Sequence, residues 1–416
     1  MSFEPANAVE PKQRLWLVTE LYYPEETSTG YYLTRIGEGL ADEFDVKVIC
    51  GQPTYSKRGT VAPKREIHKG VEIFRAAGTT LDKNIILFRL VNMVTLGLAV
   101  FFKAFANFRA GDRILVVTNP PLMPFVVAAA SLFRGSGFVL LIHDNYPELA
   151  IAAKKMRSGS FLSRTIAVFN RWLYKYASKI IVVGRDMKEL LERKTAGLDV
   201  PIAIIPNWAE LETVEPASKA ENDLLRKLGL LDKFVLLYAG NMGHPNDLES
   251  IVEAAATLQE NDAIHFIFLG SGAKRPWLER AVVDKDLQNV TILEPMARSE
   301  QRVFLNACDV ALVSLVSGMR GVSMPSRTYN ALAAGKPILA LSDAGSELEM
   351  VIEDDEVGWI VPPGDPKALV DIVSKIYELR EHLPKIAKRA RKAAVSRYPL
   401  DLAMSRYTAE LKDPAH

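Results

Sequence analysis

Short, densely apolar runs alternate along this chain with longer segments whose apolar residues recur every three or four positions. In the first half the apolar runs lie at 14–19, 44–50, 71–75, 113–118, 137–142, 180–183 and 202–206. Runs of this length, bounded by turn residues, read as strands, and those apolar throughout read as strands covered on both faces. The segments 31–40, 85–108, 124–133 and 160–179 between them carry helical spacing. The second half repeats the pattern. Strands at 234–239, 264–269, 290–293, 309–315, 338–341 and 358–361 alternate with helices starting near 247, 299, 326, 347, 367 and 383. Alternation of this kind predicts parallel sheets with helices on both sides. Two such series in 416 residues predict an α/β chain of two Rossmann-like, doubly wound domains. Their expected spans are 12–207 and 233–398, joined by a charged linker at 208–232.

Residues 85–108 form the most apolar helical stretch, interrupted between 90 and 102 only by Asn92 and Thr95. It reads as too short and too interrupted to span a bilayer, which takes about 20 apolar residues. Two readings stay open. It is a core helix packed on the sheet, or an interfacial helix docking the N-terminal domain on a membrane. The pair Trp172 and Tyr176 reads as core. Cys50 and Cys308 are the only cysteines, which excludes a disulfide framework and fits a reducing compartment. The N-terminus lacks the pattern of a signal peptide, and residues 1–11 read as a disordered leader.

The net charge of +1 hides an asymmetry. Residues 1–200 hold 27 Lys and Arg against 19 Asp and Glu, and the remainder holds 24 against 31. A basic first half suits an anionic membrane surface or a phosphate-bearing acceptor. Basic helices lack interleaved aromatics for base stacking, so nucleic acid is not an expected partner.

Chemistry is expected beyond the carboxyl ends of the strands. Thr29 and Gly30 sit there after the first strand. Asn119 follows the strand at 113–118. His143, Asp144 and Tyr146 follow the strand at 137–142, where a histidine can orient a hydroxyl and an aspartate can accept its proton. In the second half Gly240, Asn241 and Gly243 form a glycine turn that lets backbone amides meet a phosphate. Gly270, Ser271 and Gly272 give a second turn, but Arg275 occupies the third glycine position of a dinucleotide fingerprint, so no nicotinamide site is read. Asp284-Lys285-Asp286 lies between a helix and a strand and reads as a solvated turn. The densest motif is 321–340. Pro325 ends an irregular run, Ser326 caps a helix that begins with Arg327, Asn330 follows one turn on, and Gly335 stops it. A helix start with a planar guanidinium suits a nucleotide diphosphate.

The run Asn330, Ala331, Leu332, Ala333, Ala334, Gly335, Lys336, Pro337 resembles the donor-binding helix of retaining glycosyltransferases of family 4, which have the GT-B fold. Asp144, Pro147 and Glu148 match an Asp-x-x-Pro-Glu run of the same family, and Pro325-Ser326-Arg327 matches a Pro-Ser-Lys subgroup. This subgroup resembles bacterial enzymes of polysaccharide and lipid-linked oligosaccharide assembly. The family's usual glutamates are absent, with Asn330 and Val322 in their places. Its usual arginine and lysine are absent too, with Asn241 and Asn246 there. The resemblance implies two domains facing a cleft, with the final helix, 399–416, packing back on the first domain. It implies transfer of a sugar from a UDP- or GDP-sugar, with retention, to a glycan or lipid-linked acceptor, without a metal or cofactor. The implied catalytic residues are Gly30, His143, Asp144 and Arg327. The donor would meet Gly240, Asn241, Gly243, Gly270, Arg275, Pro325, Ser326, Arg327 and Asn330. The acceptor would meet Thr29, Gly30, Asn119, Asp144 and Tyr146. The expected location is cytoplasmic, peripheral on the inner face of the cell membrane. A nucleotide-sugar epimerase of the same fold, or a non-catalytic sugar- or partner-binding protein with a decayed donor site, remains consistent with the residues.

Overall fold

The computed structural model describes residues 12–53, 61–79, 81 and 85–412. The leader at 1–11, the last four residues of the 399–416 segment and part of the basic loop after residue 51 lie outside them.

The first strand shows why the N-terminal sheet forms where it does. In β1 (Arg14–Val18), Leu15 and Leu17 enter one core while Trp16 and Val18 enter another. Opposite pointing of successive side chains thus buries both faces. Around it lie β2 (Asp45–Cys50), β3 (Arg65–His68), β4 (Val71–Arg75), β5 (Arg113–Val117), β6 (Gly137–Ile142), β7 (Lys179–Val182) and β8 (Ile202–Ile204). The order is β3-β4-β2-β1-β5-β6-β7-β8, parallel throughout except for the β3–β4 hairpin. Asp112 closes the base of the sheet, accepting from the Trp16 indole at 3.0 Å and from Arg14 at 2.6 Å.

The C-terminal sheet contains β9 (Phe234–Ala239), β10 (Ile264–Leu269), β11 (Val290–Leu293), β12 (Val310–Ser314), β13 (Ile338–Leu341) and β14 (Gly358–Val361), all parallel. Its order is β11-β10-β9-β12-β13-β14. Both sheets reverse strand order beside their first strand, between β1 and β5 and between β9 and β12. Such switch points open crevices at the strands' carboxyl ends.

In the first half α1 (Ser28–Leu40) follows β1, with Thr27 as its N-cap. Next come α2 (Ile86–Asn107), α3 (Met123–Arg134), α4 (Glu148–Ala152), α5 (Phe161–Tyr176) and α6 (Arg185–Lys194). The helix Leu400–Lys412 packs against α1 and buries Met404, Tyr407 and Leu411 in the N-terminal core.

The expected linker at 208–232 is packed, and two expectations change. Trp208 and Val214 are buried, Glu210 accepts from the Tyr31 hydroxyl and the Trp208 indole, and a helix runs Asp223–Leu228. The rings of Trp172 and Tyr176 meet at a tilt, 5.5 Å apart, but remain 37% and 43% exposed, because the inner face of α5 is made by Leu173 and Tyr174. The apolar helix α2 reaches 22 residues, and its segment Leu87–Asn107 is long and apolar enough, by length and composition, to cross a membrane. Only one face of it is buried, through Leu96, Val100 and Ala104 together with the cap residue Phe108. It is therefore neither too short nor a fully covered core helix.

The two domains are clasped along residues 321–326. The Asn145 amide N–H donates to the Val322 carbonyl at 2.9 Å, and its side chain to the Gly321 carbonyl at 2.8 Å. Asp144 and Ser323 form an antiparallel bridge. Buried Asp186 accepts from the Gly321 N–H at 2.7 Å and from the Met187 N–H at 2.7 Å. Gly321 has φ +71, and a Cβ there would stand 2.9 Å from the Asp186 carbonyl oxygen. Arg185 adds an outer pair to Glu347 at 2.9 Å and Asp354 at 2.7 Å. Replacing Asp186 by Ala strands two buried donors. We expect a loss of about 2 kcal/mol or more in urea unfolding. Asp199→Ala, at an exposed position, is expected to leave the midpoint unchanged.

Candidate active site

The C-terminal half of the site is built on a sharp backbone turn. Gly240, directly after β9, has φ +143, and a Cβ there would lie 3.1 Å from the Arg327 guanidinium carbon. Gly270, after β10, has φ +140, and a Cβ there would collide with the Gly240 carbonyl. Glycine is required at both positions, by conformation and by space. The freed volume lets Arg327 lie on the turn, its charge 4.6 Å from the centre of the Tyr238 ring. Attraction between a cation and a ring face holds the guanidinium in place.

Arg327 is incompletely partnered. Its Nη2 approaches the Asn241 carbonyl at 3.5 Å and Asn246 Oδ1 at 3.4 Å, both at the limit of hydrogen bonding. Its Nη1 is buried and has no hydrogen-bond partner. One turn on, Asn330 is buried and its Oδ1 also lacks a partner, as does Thr328 Oγ1. Buried polar groups normally pair. A positive donor and an amide oxygen left open on one short helix make a slot for a ligand carrying both negative charge and hydroxyls. The helix Arg327–Ala333 has only seven residues, so the charge of Arg327 outweighs any end effect of the helix.

Ser326 differs from its expected part. It stands at the N-cap position but makes no capping bond. Its hydroxyl instead meets Ser28 Oγ of the N-terminal domain at 2.7 Å. Pro325 is half-buried beside it. Asn246, in place of the expected lysine, organises the loop by donating to the Asn241 carbonyl at 3.0 Å, and Tyr238 donates to the same oxygen at 2.7 Å. The sequence reading missed Tyr238; its signal was a polar-tipped aromatic at the carboxyl end of a core strand. Gly243 packs tightly on Asn241. Arg275 is committed elsewhere, bonded to Glu294 at 2.5 Å, Glu279 at 2.7 Å and the Gly270 carbonyl at 2.7 Å. It braces the second glycine turn instead of offering a free charge. Arg320 is paired with Glu189 at 3.0 Å.

The N-terminal half brings Thr29 and Gly30 to the start of α1, where Gly30 N–H leans on Thr27 Oγ1 at 3.4 Å. A Cβ on Gly30 would stand 2.8 Å from the Glu25 carbonyl oxygen. Asn119 lies at the end of β5, next to Thr118, whose hydroxyl donates to the Asp144 carbonyl at 3.2 Å. The Tyr146 carbonyl accepts from Asn170 at 2.7 Å and Lys194 at 3.1 Å. His143 Nε2 is buried without a partner, and burial lowers the imidazole to about 4. The ring is therefore neutral near pH 7. Burial raises the Asp144 carboxyl above its usual value, against a hydrogen bond from Ser323 that lowers it. The contact with Ser323 had no sequence signal, since the two residues are far apart in the chain.

Two facing Rossmann-like domains with polar residues converging at both switch points are the GT-B arrangement. The glycosyl transferases group 1 family model matches residues 221–393, and the glycosyl transferase 4-like domain model matches residues 28–208. A probable glycosyltransferase of Pseudomonas aeruginosa, WbjE, is 30% identical over 88% of this chain and 90% of its own length. The putative colanic acid biosynthesis glycosyl transferase WcaI of Escherichia coli is 26% identical over 87% and 91%. Among solved structures, sucrose-phosphate synthase of Thermosynechococcus elongatus superposes with a TM-score of 0.78, at 18% identity, over 96% of this chain and 98% of its own. Anabaena HepE in complex with UDP-glucose gives 0.70 at 17% identity, over 95% and 98%. The chain belongs to the family-4-like glycosyltransferases of GT-B fold.

The lowered His143 value has a stability consequence. The unfolded histidine takes up a proton below about pH 6.5, while the buried ring stays neutral until about 4. The unfolded state therefore binds more protons in that window, and stability falls as pH falls. His143→Gln removes that loss. We expect the stability of wild type relative to the variant to drop between pH 7 and pH 5, read from thermal midpoints at both values.

Proposed function

We propose that this glycosyltransferase moves a sugar from a UDP- or GDP-sugar to a glycan acceptor carried on a lipid, with retention at the anomeric carbon. The observation that carries the reading is the buried, unpartnered Arg327 Nη1 held over the Gly240 turn. A diphosphate placed there would meet a desolvated positive charge, which favours departure of the nucleotide. Pro325 and Ser326 border the same slot, and Gly240, Asn241, Gly243 and Gly270 supply its backbone wall. The Asn330 amide, with an open oxygen, is suited to ribose hydroxyls. That relatives of the fold have been seen with UDP and UDP-glucose supports this donor class. We assign diphosphate charge to Arg327 and backbone N–H groups, with no metal or cofactor required.

On the acceptor side, Thr29, Gly30, Asn119 and Tyr146 border the other half of the crevice. The bond from the anomeric carbon to the phosphate oxygen breaks as the acceptor oxygen bonds to that carbon on the same face, which keeps the configuration. We assign Asp144, made more basic by burial, to take the acceptor proton and neutral His143 to orient a hydroxyl. The family matches to polysaccharide-building enzymes, WcaI among them, support a glycan acceptor. A lipid-carried acceptor places the protein peripherally on the cytoplasmic face of the membrane.

The test is thermal stabilisation by UDP, GDP, ADP and dTDP. A ligand at 100 times its Kd adds about 2.7 kcal/mol. We expect one nucleotide to stabilise wild type and Arg327→Ala to bind it roughly 10- to 100-fold more weakly, the ~1.5–3 kcal/mol of a hydrogen bond to a charged group. Equal affinity in the variant would remove Arg327 from the donor site. NMR of the product anomer tests retention, and an inverted product would sink that part of the assignment.

A further inference from the structure

The N-terminal domain carries a large exposed apolar surface that its catalytic crevice does not explain. Along α2, Leu90, Val94, Leu98 and Phe102 recur at every fourth position and all lie exposed, Phe102 by 66%. Helix α5 exposes Phe161 by 87% and Phe169 by 56%. Between them, α3 ends in Phe133, 74% exposed, which meets Phe105 of α2 at 6.4 Å. The three helices pack side by side on one face of the sheet, α2 on α3 and α3 on α5. Their inner faces are filled, by Val100 and Ala104 on α2 and by Leu173 and Tyr174 on α5. The apolar ridges are therefore outward-facing and α2 cannot leave the domain to cross a bilayer without emptying the core.

The charge on this face is of one sign. Helices α2, α3 and α5 contain Arg89, Lys103, Arg134, Arg164, Arg171 and Lys175 and no acidic residue. Between residues 83 and 143 the only carboxylate is Asp112, which is buried against Arg14, and none occurs between 149 and 185. Apolar ridges flanked, among the described residues, by cations alone match an anionic bilayer, where acyl chains take the rings and headgroups take the charges. A second copy of the same face would set cation against cation, which opposes self-association.

We propose that α2, α3 and α5 together form a docking platform for an anionic lipid surface, lying in the plane of the interface. In a parallel α/β layer the helix N-termini stand on the side of the strands' carboxyl ends. The exposed starts of α2 and α5, at Leu87 and Phe161, then bring the crevice close to the bilayer. The platform stands on surface features alone, so loss of vesicle binding leaves the donor assignment untouched.

The experiment is flotation of the full chain with vesicles of phosphatidylglycerol and phosphatidylethanolamine, and with phosphatidylcholine vesicles, at low and high salt. We expect binding to the anionic vesicles, weakened by salt. Phe102→Glu and Phe169→Glu, both at exposed positions, should each lower it at least tenfold with an unchanged thermal midpoint. Arg164→Ser and Lys175→Ser should each lower it about fivefold, with little change on phosphatidylcholine. No binding of wild type to anionic vesicles overturns the proposal. Full binding by Phe102→Glu overturns it as well. So does a wild-type dimer that Phe102→Glu dissolves, which would make the face an interface between copies.

Discussion

Everything in the crevice depends on the close approach of Arg327 to the Gly240 turn. The guanidinium is placed from two directions. From below, the turn has no side chain and the Tyr238 ring gives the charge a face to rest on. From behind, the run 321–326 is tied to the N-terminal domain by Asn145, Asp186 and Ser28. Arg327 is thus held by the C-terminal turn, on a run that the N-terminal domain ties down. A cation desolvated in this way interacts more strongly with an incoming anion than one in water.

The fold was legible in the chain because parallel sheets write themselves as short continuous apolar runs. RLWLVT and FVLLYA cannot be half-exposed strands, and their alternation with helices leaves few topologies. The glycine turns and the 321–340 motif were legible for a related reason, since only glycine fits such backbone. The uses of individual polar side chains were not. Arg275 sits in the expected place after a glycine turn, but Glu279 and Glu294 lie within its reach and take the charge. Ser326 is the right residue for a cap, yet the opposing Ser28 competes for its hydroxyl. Pairings across the crevice, such as Asp144 with Ser323, join positions with no local relation.

Helix α2 shows the same divide. Its helical period was plain from the sequence, but which of its faces would be covered depended on what α3 offered. Gly97 lets the two helices approach, a Cβ there standing 3.2 Å from Leu122. That contact fixes the rotation of α2 about its axis. It turns one apolar stripe onto the sheet and leaves the other outside.

The clasp along 321–326 also sets the scale of domain motion. The crevice cannot widen as a rigid body unless the backbone pairing of Asn145 with Val322 and the Asp186–Gly321 bond are broken, or the whole run travels with the N-terminal domain. If they part, each hydrogen bond contributes about 1 kcal/mol net and the Arg185 pairs to Glu347 and Asp354 part with them, so the step costs several kcal/mol. A ligand that prefers one state by roughly a thousandfold would be enough to shift such an equilibrium. If the run travels instead, Arg327 is pulled from its turn as the crevice opens. On the donor assignment proposed above, a bound nucleotide would then lose its main charge partner at the moment an exit appears, and release of spent nucleotide and parting of the domains would become one event.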